Sequence, residues 1–342
     1  MRVSLTSEIL EIIGSPFARV SPNPNAKDLL KLYHYASLNR IRLLFSEALV
    51  KGAQLGPLKA ELHSLKERFE MTLEAFSRAS VALADTGVNY AFFKSIRPYP
   101  EVTVDLDIIV FGNDYRKAIL AFLKKDYRLL GFGPLSTTVQ DIVTGINVDI
   151  YDEIGTSKIV YLDKDQLEDF VVYRTLAKGI FVRSLSPGAD LLALMAHSIV
   201  KEQMYVLSEY YTTLNYLLEM KETELKGFLT LVKACRLRTA VAAHFSITAL
   251  LHLSMHEFIP DKLKRLINEV GLNADEMIRV ARNELLMPHK YHSFTVINAL
   301  IEKLGEHKAR RSIAFQAMSM FKPSFMMGFV KELLYHITRE TY

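Results

Sequence analysis

Two aspartates one residue apart, Asp105 and Asp107, lie in the run Val104-Asp-Leu-Asp-Ile-Ile-Val110, and a third, Asp149, lies in Asn147-Val-Asp-Ile-Tyr151. Both runs carry the β-branched and aromatic residues that favour strands. Alternation along a strand puts Asp105 and Asp107 on one face and Leu106 and Ile108 on the other. Two carboxylates side by side on such a strand repel, and both ionise only at a cost unless positive charge compensates. A divalent cation is the natural compensation, and oxygen ligands of this kind suit magnesium. Asp149 adds a third carboxylate if its strand is a neighbour. Spacing alone is not decisive, because about one Asp-x-Asp pair is expected by chance in a chain of this length. A second pair, Asp163-Lys-Asp165, occupies a polar segment and reads as a solvated helix start.

The residues upstream sharpen the reading. The segment from Phe92 to Ile108, Phe-Phe-Lys-Ser-Ile-Arg-Pro-Tyr-Pro-Glu-Val-Thr-Val-Asp-Leu-Asp-Ile, places nine residues between Ser95 and Asp105. It resembles the signature of the DNA-polymerase-β-like nucleotidyltransferase superfamily: a hydrophobic residue, Gly, Gly or Ser, and then Asp-hydrophobic-Asp/Glu-hydrophobic. Asp149 is the best match to the family's third carboxylate, and SPGADLLALMAHSIVK (186–201) looks like the start of the helical domain that follows the catalytic sheet in uncharacterised archaeal and bacterial branches. The likeness covers about residues 87–215. One departure stands out: Lys94 replaces the usual glycine, as some branches also show, so an ammonium and a hydroxyl would stand where backbone amides otherwise approach phosphate.

The resemblance implies two-metal nucleotidyl transfer. Asp105 and Asp107 would hold Mg2+ (or Mn2+) against the triphosphate of an NTP such as ATP, with Asp149 completing the set and helping to activate the acceptor hydroxyl. Ser95 would bind a phosphate oxygen. Lys94, Arg97 and Lys201 are candidate phosphate partners, although Arg97 reads equally as a solvated surface cation and Lys201 more readily as an ordinary exposed lysine. The acceptor is RNA, a protein or a small molecule. A non-catalytic nucleotide- or RNA-binding protein that keeps the fold is the alternative, and a purely structural protein is a third reading.

Three regions must position these residues. Residues 1–86 read as helical, with one helix from Lys27 to Val50 and another opened by Pro57 and closed by Gly87. Residues 87–186 read as a small mixed sheet: strands at 88–95, 104–111 and 179–185, a helix from Asp114, and a hairpin joining TTVQDI to INVDIYDEI, with Gly131-Phe-Gly133 as a turn. Residues 187–342 read as helical again, from Asp190 onwards. The expected class is therefore α+β, a nucleotidyltransferase-like sheet domain between N-terminal helices and a C-terminal helical domain, with its cleft between sheet and C-terminal helices.

Composition narrows the field further. Charged residues make up 23% of the 342 and the formal charge is +4, which permits a polyanionic ligand without demanding one. Cys235 stands alone, which excludes an intramolecular disulfide or a cysteine zinc site, and reads as a buried structural thiol. The longest apolar stretch, Thr239 to Ser254, is too short for a bilayer, and the N-terminus carries Glu8 and Glu11 within its apolar stretch, so no membrane partner and a cytoplasmic location are expected. His197 reads as a hydrogen-bonded core histidine. Tyr205, Tyr210, Tyr211 and Tyr216 read as core packing rather than a base-stacking platform, Met318, Met320, Met326 and Met327 as core filling, and Lys308 to Arg311 as a solvated basic face. The residues are silent on oligomeric state.

Overall fold

The protein is described by a computed structural model at residues 5–18, 28–52, 56–272, 285–319, 321, 326–327 and 338–341. The fold is α+β. Its centre is a mixed seven-stranded sheet built from β1 (Tyr90–Phe92), β2 (Asp105–Val110), β3 (Tyr127–Phe132), β4 (Ser136–Asp141), β5 (Asn147–Tyr151), β8 (Val171–Thr175) and β9 (Phe181–Leu185). The strand order is β3-β4-β5-β2-β1-β9-β8, with β2 parallel to β5 and antiparallel to β1. A small hairpin, β6 (Ile154–Thr156) and β7 (Ile159–Leu162), stands beside it.

The alternation of β2 sorts the two faces. Leu106, Ile108 and Val110 pack with Phe76, Ala79 and Phe122 of the helices Lys59–Ala84 and Tyr115–Leu123. Ile109 and Phe111 point the other way, into a second and larger core. That core joins the helices Leu5–Ile13, Leu29–Leu38 and Arg42–Lys51 to C-terminal helices as distant as Ser293–Lys303.

Several elements depart from the sequence reading. The single helix expected over Lys27–Val50 is two, interrupted at Asn39–Arg40–Ile41, where Arg40 takes a left-handed φ of 56°. The cause is tertiary: Asn39 Oδ1 and its carbonyl accept the amides of Leu207 and Ser208, fixing the break against the helix Leu207–Glu219. Gly131 and Phe132 lie in β3, at a register shift opposite β4, and do not form a turn. β3 and β8 have mostly exposed faces and lack the alternation that marks a half-buried strand.

After β9 the chain enters the helix Pro187–Ala196, opened by proline at its first turn. It continues as one wide π-helical turn, His197–Glu202, and ends at Gln203 with φ 53°. Wide turns of this kind inside a helix recur at functional sites. Within the region expected to be helical from Asp190 onwards, Asp261–Glu269 is a helix, and residues 273–284 and Met320 lie outside the described ones. No helix among the described residues is long and apolar enough to cross a membrane.

The tyrosine run is buried throughout, which removes it as a surface for stacking a base. Cys235 is buried and its thiol is pushed up to about 12, mainly by burial, so it is inert. Met318, Met326 and Met327 do not fill a core, because all three are exposed. Asp163 does open a short helical turn, accepting the amide of Asp165, but both acids pair with Lys308, which also reaches Glu153. The Lys308 end of the basic cluster is therefore neutralised within the chain.

Candidate active site

The parallel pairing of β2 with β5 makes Asp107 the register partner of Asp149 and Asp105 that of Asn147. All three carboxylates thus share the face that looks towards the C-terminal helices. They lie at the end of β2 where the strand emerges from the core, and Asp107 is the most deeply buried of them. Burial first, and then the neighbouring charge of Asp107, pushes the Asp105 carboxyl up to about 6. Burial likewise raises Asp149, against the hydroxyl that Thr138 donates to its Oδ1. Asp107 differs. Burial pushes it up, but the charge of Lys94 and, behind it, that of Lys201 outweigh burial and hold it below the ordinary carboxylate range.

Lys94 follows β1 with φ 58°, a left-handed conformation that disfavours a side chain by roughly 1–2 kcal/mol. It is held there from two directions. Its amide donates to Asp190 Oδ1 at 2.5 Å, and its Nζ lies 3.0 Å from Asp107 Oδ1. Asp190 was legible only as the opening of a helix. In the fold it is a fully enclosed anchor, its other oxygen 2.6 Å from the Tyr216 hydroxyl and 3.8 Å from Arg174.

Ser95 completes the turn. Its amide and its hydroxyl both donate to the Phe93 carbonyl, and its Oγ accepts the amide of Asp107 at 2.7 Å. The turn is therefore stitched to β2, and the one hydroxyl hydrogen of Ser95 is already used. Together with the bond from Lys94 to Asp190, this commits both turn amides within the protein, so anions at this site meet side-chain cations first.

Those cations line a cavity of about 330 Å³ in front of Asp105 and Asp107. Arg97 and Lys201, expected from sequence, are joined by Arg40, Arg42 and Arg339, which were not. The break at Asn39–Arg40–Ile41 brings Arg40 and Arg42 to the rim, and Arg339 reaches it from near the chain's end, paired at 2.9 Å with Glu202. Arg97 donates to Thr212, and Lys201 sits on the wide turn 3.9 Å from Glu202. A cavity of this size and charge suits a phosphorylated ligand.

His197 belongs to the site as well as to the core. Burial, then the charge of Lys94, pushes its imidazole down to about 3, so it is neutral. Its Nδ1 faces two donors, the Tyr161 hydroxyl at 3.0 Å and Lys94 Nζ at 3.3 Å, and so carries the lone pair. Its Nε2–H then donates to Glu202 at 3.1 Å.

Glu101 closes one wall. Its carboxylate accepts the amides of Leu43 and Leu44, capping the first turn of the helix that carries Arg42. Burial pushes the Glu101 carboxyl up to about 7, with the amides of Val102, Leu43 and Leu44 opposing it. The folded state then binds this proton more tightly than the unfolded chain. Stability from Glu101 is complete below about pH 4.5, declines as pH rises, and is lost above about 7. Urea denaturation across pH 4–8 should show that decline, and Glu101→Gln should flatten it.

No family model and no curated protein matches the chain. Among solved structures, the STING-associated CdnE c-di-GMP synthase from Capnocytophaga granulosa is similar over 78% of this chain and 96% of that one, at 14% identity and a TM-score of 0.24.

Proposed function

We propose that the chain is a nucleotidyltransferase that binds a nucleoside triphosphate with magnesium and moves the nucleoside monophosphate to a hydroxyl acceptor. The observation that carries this reading is the face shared by Asp105, Asp107 and Asp149, the first two of which line the same cavity as Arg40, Arg42, Arg97 and Lys201. Carboxylates for a cation and cations for a polyphosphate stand side by side.

The donor set fits magnesium that arrives with its nucleotide. Among the described residues no three His, Cys, Asp or Glu side chains form a group that could hold a metal ion by themselves. Magnesium rarely needs one, because it binds through one or two carboxylates plus substrate phosphates and water. Asp105 and Asp149, with Asp107 between them, would hold it, and its charge would offset that of the phosphates around the reacting phosphorus. Arg40, Arg42, Arg97 and Lys201 would orient the triphosphate, and Asp149, with its raised pKa, would accept the proton of the attacking hydroxyl. Lys201→Ala should weaken NTP binding roughly tenfold in Kd, the worth of one partly solvated charge-assisted contact, with little change in melting temperature.

Incubation with α-labelled NTPs, Mg2+ and cell extract tests the reading. A labelled product that depends on Asp105 and Asp149 is expected; no product from any of the four NTPs contradicts transfer. The closed turn supports a second reading, because with both amides and the Ser95 hydroxyl committed the site offers phosphate no backbone cradle. A protein that binds nucleotide without turnover would show magnesium-independent affinity in calorimetry and no label transfer.

A further inference from the structure

From the geometry around Lys94 we infer that its ammonium is a resident cation of the carboxylate cluster, holding at Asp107 the place of a second metal, so that the site takes only the one divalent cation that a nucleotide brings. The one-metal count rests on the nucleotidyltransferase reading; the occupancy of Asp107 by Lys94 does not.

Three observations carry the inference. The ammonium is held from every side: 3.0 Å from Asp107 Oδ1, 3.3 Å from the lone pair of His197 Nδ1, and over the rings of Phe93 and Tyr151 at 4.8 and 5.0 Å. Lys94 and Asp107 are each only 6% exposed, so the pair is desolvated together and neither charge can leave without stranding the other. The backbone beneath it is fixed too, in a left-handed conformation pinned by Asp190, so the side chain starts from a set position beside Asp107.

The charges agree. The three carboxylates carry three negative charges, which one ammonium and one divalent cation balance. A second divalent cation would leave the cluster with two excess positive charges and would approach Asp107 directly against the ammonium. The triphosphate's own charge is met separately by the arginines and Lys201 of the cavity. Lys94 is on this account a positioning residue: it sets the charge and geometry of Asp107 and touches neither phosphate nor acceptor.

Mn2+ titration of the nucleotide-free protein, read by the loss of the free-ion electron paramagnetic resonance signal, tests this without any turnover. The wild-type chain should bind Mn2+ only at millimolar concentrations. Lys94→Gln, which frees Asp107, should bind it at least tenfold more tightly, and Lys94→Arg, which keeps the charge, should behave like wild type. Tight Mn2+ binding by the wild type overturns the inference, and that arm needs no variant to fold. Equal binding by Lys94→Gln and wild type overturns it too, as does a gain in Lys94→Arg equal to that in Lys94→Gln. With a non-hydrolysable NTP present, one Mn2+ per chain is expected and two contradict the count. If no NTP binds while the nucleotide-free results hold, the transferase reading fails and Lys94 remains the cation of Asp107.

Discussion

Asp105→Asn should remove nucleotidyl transfer and at the same time make the protein slightly more stable. The activity side follows from the site: Asp105 is the carboxylate on the face of β2 that carries no direct ion pair with Lys94, and so the one most available to a nucleotide-borne cation. Losing such a ligand removes several kcal/mol of transition-state stabilisation, on the order of a hundred- to a thousand-fold in kcat. The stability side follows from its pKa. A carboxyl raised to about 6 by burial and by Asp107 is one whose ionised form opposes folding at neutral pH. A neutral isostere removes that opposition, so the melting temperature should rise while turnover falls. Steady-state kinetics and thermal melts on the same preparation check both signs. Unchanged kcat, or a lowered melting temperature, would count against this role for Asp105.

Asp190→Ala should have the largest effect on stability. Asp190 is buried and holds three partners at once: the amide of Lys94, the Tyr216 hydroxyl and Arg174. Burial opposes the charge of Arg174, and Tyr216 and Asp190 more than offset that opposition. Removing the carboxylate strips a part-buried guanidinium of a counter-charge and leaves the Lys94 amide and the Tyr216 hydroxyl without their acceptor, which together cost about 3–5 kcal/mol. Lys94 would also lose the bond that holds its left-handed backbone. Urea denaturation should therefore show a large drop in midpoint for Asp190→Ala and a smaller one for Asp190→Asn, which keeps acceptor geometry at Oδ1. Equal midpoints for Asp190→Ala and wild type would show that the anchor contributes nothing.

What the sequence made legible was local. The two-residue period of β2 placed Asp105 and Asp107 on one face, and the strand character of Asn147–Tyr151 offered Asp149 as a neighbour, which the parallel β2–β5 pairing provides. The helix Lys59–Ala84 and the hairpin of β4 and β5 were legible for the same reason, since each announces itself within one periodic segment. The parts that close the site come from far along the chain and leave no local mark. Lys94 meets Asp190 across 96 residues, and Asn39 breaks a helix because of amides 168 and 169 positions away. Nothing local marks Arg40, Arg42 and Arg339, which only the fold gathers at one rim. Lys94 itself was visible as an oddity at a glycine position, but its pairing with Asp107 required the β1 turn to curl back over β2, which Ser95 brings about through the Asp107 amide.

Calorimetric titration of the wild-type protein with a non-hydrolysable NTP, with and without Mg2+, bears most directly on the claim that this cavity receives a magnesium nucleotide. Saturable binding of one NTP per chain is expected, weakening at least tenfold when Mg2+ is withheld. Absence of binding by all four nucleotides, or an affinity indifferent to Mg2+ and to Asp105→Asn, would contradict it.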